Sequence, residues 1–520
     1  MHRLAAAPRL TKIQAADFQR LLCHHRLFPY LPYMLKRYLL LLVAASLSSQ
    51  SYSQKFLVNY PANALSAPFT GKVILYLNKE NRNPKNAMAD LEPFPCFSID
   101  VRDVKPGTSV TFDDRAASYP VRLSDIERGE YYVQAVWDRN LGGRAIAESP
   151  GNLYSRSLKV NLTKDANASF TLSCDQVVTE PHFTDTKFVK ELKTPSQLLS
   201  KSQGRAMTVD AAVLLPREYY TQPQRQFPVL FVVSGYGGDY HRYSGDTTVF
   251  SRPFDTVSCI TVYLDGNCAG GHSVYANSDN NGPWGDALTT EFIPQLEKSY
   301  RCNGARLLRG HSSGGWTVLW LQTHYPDVFA GCWSSSPDPV DFRNFQRVNL
   351  YEEDNIYYKK DGTSNAVATI AGYFPVATMK QCYQQEFVLY RGEQMHSFNQ
   401  VFSAKGQDGQ PIPICNPVTG AIDKSCFEHW KAYDICAYLR NNWPVLEKGL
   451  QGKIRVSVGN QDNFLLNYAV HMLDDEMKKL DTRFVFEYYP GDHFTVSTSE
   501  YQTAGVTFLA SRYAQWKMRY

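Results

Sequence analysis

After Arg205 the chain alternates short, almost continuously apolar runs with segments of helical periodicity, a rhythm that few folds satisfy. The runs are Val209–Leu215, Pro228–Val233, Ser258–Leu264, Ala305–Arg309, Ala330–Ser334, Ile454–Val458 and Arg483–Tyr488. Between or after them lie helical segments such as Ala287–Ser299, Gly315–His324, Leu465–Lys479 and Ser499–Lys517. Strands that are apolar along their whole length need cover on both faces, so residues 205–520 are expected to form a doubly wound α/β domain. One interval breaks the rhythm: residues 336–452 separate two consecutive core strands, far more chain than a single-helix crossover uses. An insertion there would lie over the carboxyl ends of the strands, where open α/β sheets bind ligands, and is expected to act as a lid.

Residues 54–178 follow a different grammar. Lys72–Tyr76, Cys96–Val101, Ser109–Phe112, Tyr131–Trp137, Leu158–Leu162 and Ala168–Leu172 are short strand-like segments, with turn signals at Lys105-Pro-Gly and Arg128-Gly-Glu. Short strands without a convincing helix predict a β-sandwich, and the absence of any pairing of nucleophile with base makes it an accessory domain. Residues 179–204 are polar and are expected to be a linker.

The first 53 residues stand apart in charge. They hold seven Lys/Arg and one Asp, so the net charge of +4 over 520 residues leaves the remainder slightly acidic, and no basic surface for nucleic acid is implied. Lys36 and Arg37 precede the apolar run Leu39–Ala45, and small and polar residues follow to Gln54, the order of a secretory signal peptide. Ser51 and Ser53 fit positions −3 and −1 of a cut before Gln54. The run is too short to span a bilayer comfortably, so no stable membrane span is expected after cleavage, and the protein is expected to be secreted or periplasmic. Met34 is the expected start of translation, residues 1–33 being an extension of the reading frame. Without Cys23 ten cysteines remain, which suits an oxidising compartment and one to three disulfides, with Cys415, Cys426 and Cys436 placed to staple a loop. No C-x-x-C or Cys/His cluster has zinc spacing, and neither a metal nor a cofactor is expected.

Chemistry concentrates at Gly310-His-Ser-Ser-Gly314, a G-x-S-x-G sequence between a predicted strand and a predicted helix. The bare pattern is weak; its context is what makes Ser312 a candidate nucleophile. A sharp turn would strain Ser312, and Gly310 and Gly314 would remove side chains that collide with it, while Gly315 would let the helix approach the sheet. Serine needs a base and an orienting acid. Beyond the insertion lie only His471, within a helix, and His493, on a loop after a strand, so His493 is the expected base. Asp462, on the loop after the preceding strand, is the expected acid, with Asp474, Asp475 and Asp492 as alternatives. For the tetrahedral oxyanion the expected donors are the backbone N–H groups of Ser313, at the helix start, and of Tyr236 in Ser234-Gly-Tyr-Gly-Gly238.

Together with Phe227-Pro-Val-Leu-Phe231, Asn281–Glu297, Gly459-Asn-Gln-Asp462 and Gly491-Asp-His493, these residues resemble the esterase D or putative-esterase branch of the α/β-hydrolases, which includes feruloyl, acetylxylan and enterochelin esterases. The resemblance implies an α/β-hydrolase fold over roughly residues 205–520, a Ser312–His493–Asp462 triad, and Trp284 near the mouth of the site as a substrate-binding residue. Two departures stand out: the insertion is much longer than in compact members, and the Gly-rich loop begins with Ser234 where many relatives have His. The expected activity is hydrolysis of a carboxylic ester, small or carbohydrate-linked. The aromatics Tyr351, Tyr357, Tyr358, Phe374, Trp430 and Tyr433 either line that lid or form its core. An acyltransferase with the same triad, or an inactive carbohydrate- or surface-binding protein, are the alternatives.

Overall fold

Six of the seven apolar runs become inner strands of an eight-stranded sheet, and the seventh, Arg483–Tyr488, becomes an only partly buried edge strand. The structure is a computed structural model and describes residues 54–519 except 82, 87–93 and 164–167; the expected leader, Met34 and cleavage site lie outside the described residues. The strands are β1 (Val189–Pro195), β2 (Thr208–Leu214), β3 (Phe227–Val233), β4 (Ile260–Leu264), β5 (Cys302–His311), β6 (Gly331–Ser335), β7 (Ile454–Gly459) and β8 (Val485–Tyr489), in the order β1-β2-β4-β3-β5-β6-β7-β8. The pairs β1–β2 and β2–β4 are antiparallel and every later pair is parallel. Val233 pairs with Gly310, His311 with Ser335, Ser335 with Ser457 and Gly459 with Tyr489. Six consecutive parallel strands therefore end along one edge, and the loops that leave them share one side of the molecule.

The expected linker, residues 179–204, instead contains β1 and helix α1 (Gln197–Gln203). Leu192 and Thr194 are buried while Lys193 between them is exposed, the alternation of an edge strand covered on one face, which reads as merely polar in sequence. Ser196 caps α1, its hydroxyl accepting from Leu199 N at 3.0 Å, and Gly204 ends it in the left-handed region at φ 65°. Helix α2 (Ser313–His324) is buried from Ser313 to Thr323, which explains its lack of an amphipathic stripe.

Residues 55–177 form a three-stranded and a seven-stranded sheet that share one apolar core: Phe56, Val58, Phe112 and Leu172 from the first meet Val73, Leu75, Phe97, Val133 and Trp137 from the second. The other face of the larger sheet is not left to solvent. Its Ile74, Tyr76, Cys96 and Val136 pack with Val388 and Leu389 of helix α3 (Met379–Leu389), which belongs to the 336–452 insertion. The described residues from 54 to 519 accordingly form one compact unit.

The insertion also contains a hairpin (Ala366–Ile370 and Phe374–Thr378), helix α4 (Gln394–Phe402) and helix α5 (Ile435–Leu450). Of its six aromatics singled out in the sequence, Phe374 alone is exposed; Tyr357, Trp430 and Tyr433 join the principal core. The expected cysteine staple is not formed. Cys415, Cys426 and Cys436 are separate buried thiols, with Cys426 Sγ 3.3 Å from Ile412 O and Cys436 Sγ 3.8 Å from Arg343 Nη2. They are spaced by packing in an apolar core, and cysteine pairing therefore gives no support to export. Among the described residues no helix is long and apolar enough to cross a membrane. The last helices are α6 (Asn467–Lys479) and α7 (Ser499–Lys517); α7 covers the face opposite α2, with Trp333 and Tyr501 rings 5.4 Å apart.

Candidate active site

Strand β5 runs out at His311 and α2 begins at Ser313, so Ser312 must reverse the chain in a single residue. It does so at φ 59°, ψ −126°, a conformation costly for a residue with a side chain, held by Ser312 N donating to Ser335 O (2.9 Å) and Trp316 N donating to Ser312 O (3.0 Å). The flanking glycines are required by space. A Cβ on Gly310 would stand 2.0 Å from Gly314 O, one on Gly314 2.1 Å from Val233 O, and one on Gly315 2.6 Å from Ser335 O. The sequence expectation for these glycines therefore holds for a measurable reason: backbone occupies every direction in which a side chain could grow. Ser312 itself stays half-buried.

The loops after β7 and β8 carry the expected acid and base. Asn460 N donates to Tyr489 O (2.8 Å) and Gln461 N to Gly491 O (3.1 Å), so the sheet ladder continues past its strands and aligns the two loops. Asp462 Oδ2 lies 2.8 Å from His493 Nδ1, while Oδ1 accepts from Phe464 N at 2.9 Å. A carboxylate bound at both oxygens cannot rotate, and it fixes the proton of its partner on Nδ1. Both side chains are almost wholly buried, at 0% and 4% exposure, so their pairing is little screened by water. His493 N donates to Asn463 Oδ1 (3.1 Å), and the Phe464 ring meets the imidazole edge-on at 4.9 Å.

The alternatives are engaged elsewhere. His471 stacks on Tyr488 at 4.1 Å, Asp474 accepts from Tyr488 Oη (2.8 Å) and Lys478 Nζ (2.9 Å), Asp475 is exposed, and Asp492 accepts from Phe494 N and Thr495 N of its own loop.

Ser313 is the first residue of α2, where a backbone N–H has no acceptor within the helix. The loop after β3 lies against the same turn, since a Cβ on Gly235 would stand 3.1 Å from Ser312 Cβ. Tyr236 follows, with its ring turned away to a partner described below.

Trp284, expected near the mouth of the site, is not brought there. It is buried edge-on against Tyr275 at 5.6 Å, its indole N–H donating to Asn281 O (3.0 Å), because it opens a helical turn whose apolar face points into the core. It borders a cavity of about 600 Å³ walled by Gly143, Asp210, Asp265 and Met207 rather than by Ser312.

Sequence reasoning passed over one residue. Asp338 lies on the loop leaving β6, beside the nucleophile turn: its N–H donates to Ser312 O (3.3 Å), and its Oδ2 accepts from Ser313 Oγ (2.6 Å) and Gln394 Nε2 (3.5 Å). Burial pushes its carboxyl up to about 6, against hydrogen bonds from Ser313 and Ser312 and the nearby His493 that favour the charged form. The signal that would have found it was its place at the carboxyl end of the strand next to β5. His311, whose ring lies 4.6 Å from that of His493, is held low at about 4, chiefly by burial, and donates or accepts at Ser335 Oγ (2.8 Å). Among the described residues no group of three or more His, Cys, Asp or Glu is arranged to hold a metal ion.

Residues 200–501 match the family model described as Putative esterase, more than half of the chain, and the protein belongs to this family of carboxylic ester hydrolases. No curated protein matches it. Solved structures similar to it include a ferulic acid esterase, 14% identical, with 64% of this chain and 98% of that one covered at a TM-score of 0.35. An S-formylglutathione hydrolase from Agrobacterium tumefaciens is 14% identical, with 63% and 96% covered and a TM-score of 0.36. The fluorophosphonate-binding serine hydrolase FphF from Staphylococcus aureus is 15% identical, with 62% and 97% covered and a TM-score of 0.35.

Proposed function

We propose that this enzyme hydrolyses carboxylic esters through a Ser312–His493–Asp462 triad on an α/β-hydrolase scaffold. The observation that carries the reading is the buried 2.8 Å pair of His493 Nδ1 with Asp462 Oδ2, on loops that leave the sheet at the same edge as the strained Ser312 turn. With Nδ1 committed to Asp462, Nε2 is the nitrogen that takes the Ser312 proton. Ser312 Oγ attacks the ester carbonyl, and its proton moves to His493. The backbone N–H groups of Ser313 and Tyr236 hold the oxyanion that forms, each worth about 3 to 4 kcal/mol to the transition state. His493 then returns the proton to the departing alkoxide, leaving an acyl-enzyme. Water, deprotonated by the same imidazole, releases the acid and restores Ser312.

The preferred substrate class is an acetyl or aromatic acyl ester of a carbohydrate. What supports it is an apolar rim beside the histidine: Phe494 follows His493 and is 65% exposed, and the insertion's hairpin presents Tyr373 and Phe374 at 73% and 70%. The hairpin is tied to the triad loop, with Thr369 N donating to Asn463 O (2.7 Å) and Asn463 Nδ2 to Thr369 O (3.0 Å). Exposed aromatic faces of this kind suit a ring-bearing leaving group or acyl chain. In this reading the insertion is the lid, residues 54–178 are a β-sandwich, and the enzyme is exported, for which the basic, apolar and small-residue order around residues 36–54 is the support.

Labelling of the chain from Gln54 onward with a fluorophosphonate tests the reading. The expected result is stoichiometric labelling of wild type and none of Ser312→Ala or His493→Ala. Folded wild-type protein that neither labels nor hydrolyses p-nitrophenyl acetate would overturn it.

A further inference from the structure

The loop that would supply the second oxyanion donor is built from Gly235, Tyr236 and Gly237, residues with little stiffness of their own, yet it packs directly on the nucleophile turn. Its rigidity has to come from outside. Tyr236 Oη donates to Gly392 O of the insertion and accepts from Arg144 Nη1 at 2.9 Å. The Arg144 guanidinium also lies over the Tyr236 ring, 4.6 Å from its centroid, and Nη1 donates to Gly392 O at 3.1 Å. A Cβ on Gly237 would stand 3.4 Å from Arg144 Nη2, and one on Gly392 only 2.2 Å from Arg144 O. The loop is thus clasped by a residue 92 positions away, on the connection between two strands of the seven-stranded sheet, Gly129–Asp138 and Leu153–Tyr154.

Arg144 is in turn locked. Arg391 Nη1 donates to Gly143 O (3.0 Å) and Arg144 O (3.1 Å), and its Nε and Nη2 bind Asp138 Oδ2 (2.6 Å) and Oδ1 (2.7 Å) in a fork with both side chains buried. Asp138 is the last residue of a long strand of the seven-stranded sheet, Gly129–Asp138. A continuous path of short contacts therefore runs from that strand end through Arg391, Arg144 and Tyr236 to Gly235 and Ser312. Burial pushes the Tyr236 phenol well above its usual range, so its hydroxyl keeps the proton it donates to Gly392.

We propose that Arg144, contributed by the amino-terminal region, is a positioning residue for ester hydrolysis: by gripping the Tyr236 side chain it aims the Tyr236 backbone N–H at the developing oxyanion. The inference rests on the serine-esterase reading above. It makes the amino-terminal sheets part of the catalytic apparatus rather than an accessory, since no residue of 205–520 replaces the guanidinium at this contact. Positioning of this kind acts in the transition state, so it should appear in kcat rather than KM.

The test uses the chain from Gln54 onward with p-nitrophenyl acetate. Arg144→Ala is expected to lower kcat about 100-fold with KM within about threefold, the scale set by loss of one oxyanion donor. Tyr236→Phe keeps the ring and removes only the hydroxyl; it is expected to lower kcat about tenfold, and the double variant no further than Arg144→Ala alone, because both break the same link. Added guanidinium should restore part of the activity of Arg144→Ala, which no loss of folding would allow. If Arg144→Ala does not fold, Tyr236→Phe and its salt-free kinetics decide. kcat within twofold of wild type in whichever variants fold, with Ser312→Ala inactive, overturns the positioning role and leaves the esterase reading intact. Wild-type protein without activity or labelling at Ser312 removes both.

Discussion

The two sides of Ser312 are built in opposite ways. On one side stand Asp462 and His493, 31 residues apart, on loops that leave adjacent parallel strands and are aligned by a continued backbone ladder. On the other stand the Gly-rich loop and Asp338, held by Arg144, Gly392 and Gln394 from segments 56 to 156 residues distant. The Asp462–His493 pair follows from the topology of the sheet alone. The placing of the Gly-rich loop and of Asp338 follows from how the amino-terminal sheets and the insertion pack. Chemistry and positioning therefore have separate structural causes here, and a change that disturbs one need not disturb the other.

The most severe way to break this comparison is to impair the relay alone. Asp462→Asn keeps the shape of the acid and offers an amide to His493 Nδ1, so the imidazole loses the tautomer that leaves Nε2 free. A fall in kcat on the order of 10⁴-fold is expected, with a melting temperature close to wild type. Steady-state hydrolysis of p-nitrophenyl acetate checks it. If kcat stays within tenfold of wild type, another carboxylate holds the histidine, and Asp338 becomes the first to examine.

The opposite break is structural. Asp138→Ala leaves the Arg391 guanidinium buried without its carboxylate, a situation that destabilises proteins by about 3 to 5 kcal/mol. The urea midpoint should fall accordingly, as a single transition, because the larger amino-terminal sheet shares an apolar core with helix α3 of the insertion. Two separate transitions would mean that the amino-terminal sheets unfold alone and that the positioning side has less support than its contacts suggest.

The same division explains what the sequence made legible. Ser312, Asp462 and His493 sit where turns follow apolar strands, and strand, turn and order along the chain are all local patterns. The elbow glycines were legible for a similar reason, since a turn this tight leaves no room for Cβ atoms. Strand β1 was missed because an edge strand covered on one face alternates with lysines and looks like a polar linker. Trp284 was misplaced because a family motif gives a helix its position but not the direction in which a ring points. Asp338 had only its place after an apolar strand to mark it and Arg144 carries no local signature; each gains its meaning from a partner brought near only by the finished fold.

Asp338 offers a way to sharpen the comparison by pH. Its carboxyl, near 3.8 when unfolded, is pushed up to about 6 in the fold, with burial the leading cause. Between those values the folded state holds a proton that the unfolded state has released. Stability contributed by this group is therefore complete below about pH 4 and is lost as pH rises through 6, a total of about 2 to 3 kcal/mol. Asp338→Asn should flatten that slope, raising the unfolding free energy at pH 7.5 relative to wild type while changing little at pH 4. Urea titrations at the two pH values read it directly, and an unchanged slope would mean that Asp338 stays charged in the fold.

The smallest expected effect concerns the seam between the relay and the insertion. Asn463 Nδ2 donates to Thr369 O of the hairpin and its Oδ1 accepts from His493 N, whereas Thr369 N and Oγ1 bond to the Asn463 carbonyl and would survive loss of the side chain. Asn463→Ala removes two partly buried hydrogen bonds whose groups can turn to water, so a loss of about 1 kcal/mol in stability is expected. Asp462 still fixes the imidazole, which keeps the fall in kcat for p-nitrophenyl acetate below about tenfold. The hairpin that carries Tyr373 and Phe374 loses part of its tether, and a ring-bearing ester should therefore suffer more in KM than the acetate does. Equal KM changes for an acetyl and an arylacyl ester would separate the aromatic rim from substrate binding, and a kcat loss comparable to that of Asp462→Asn would make Asn463 part of the relay itself.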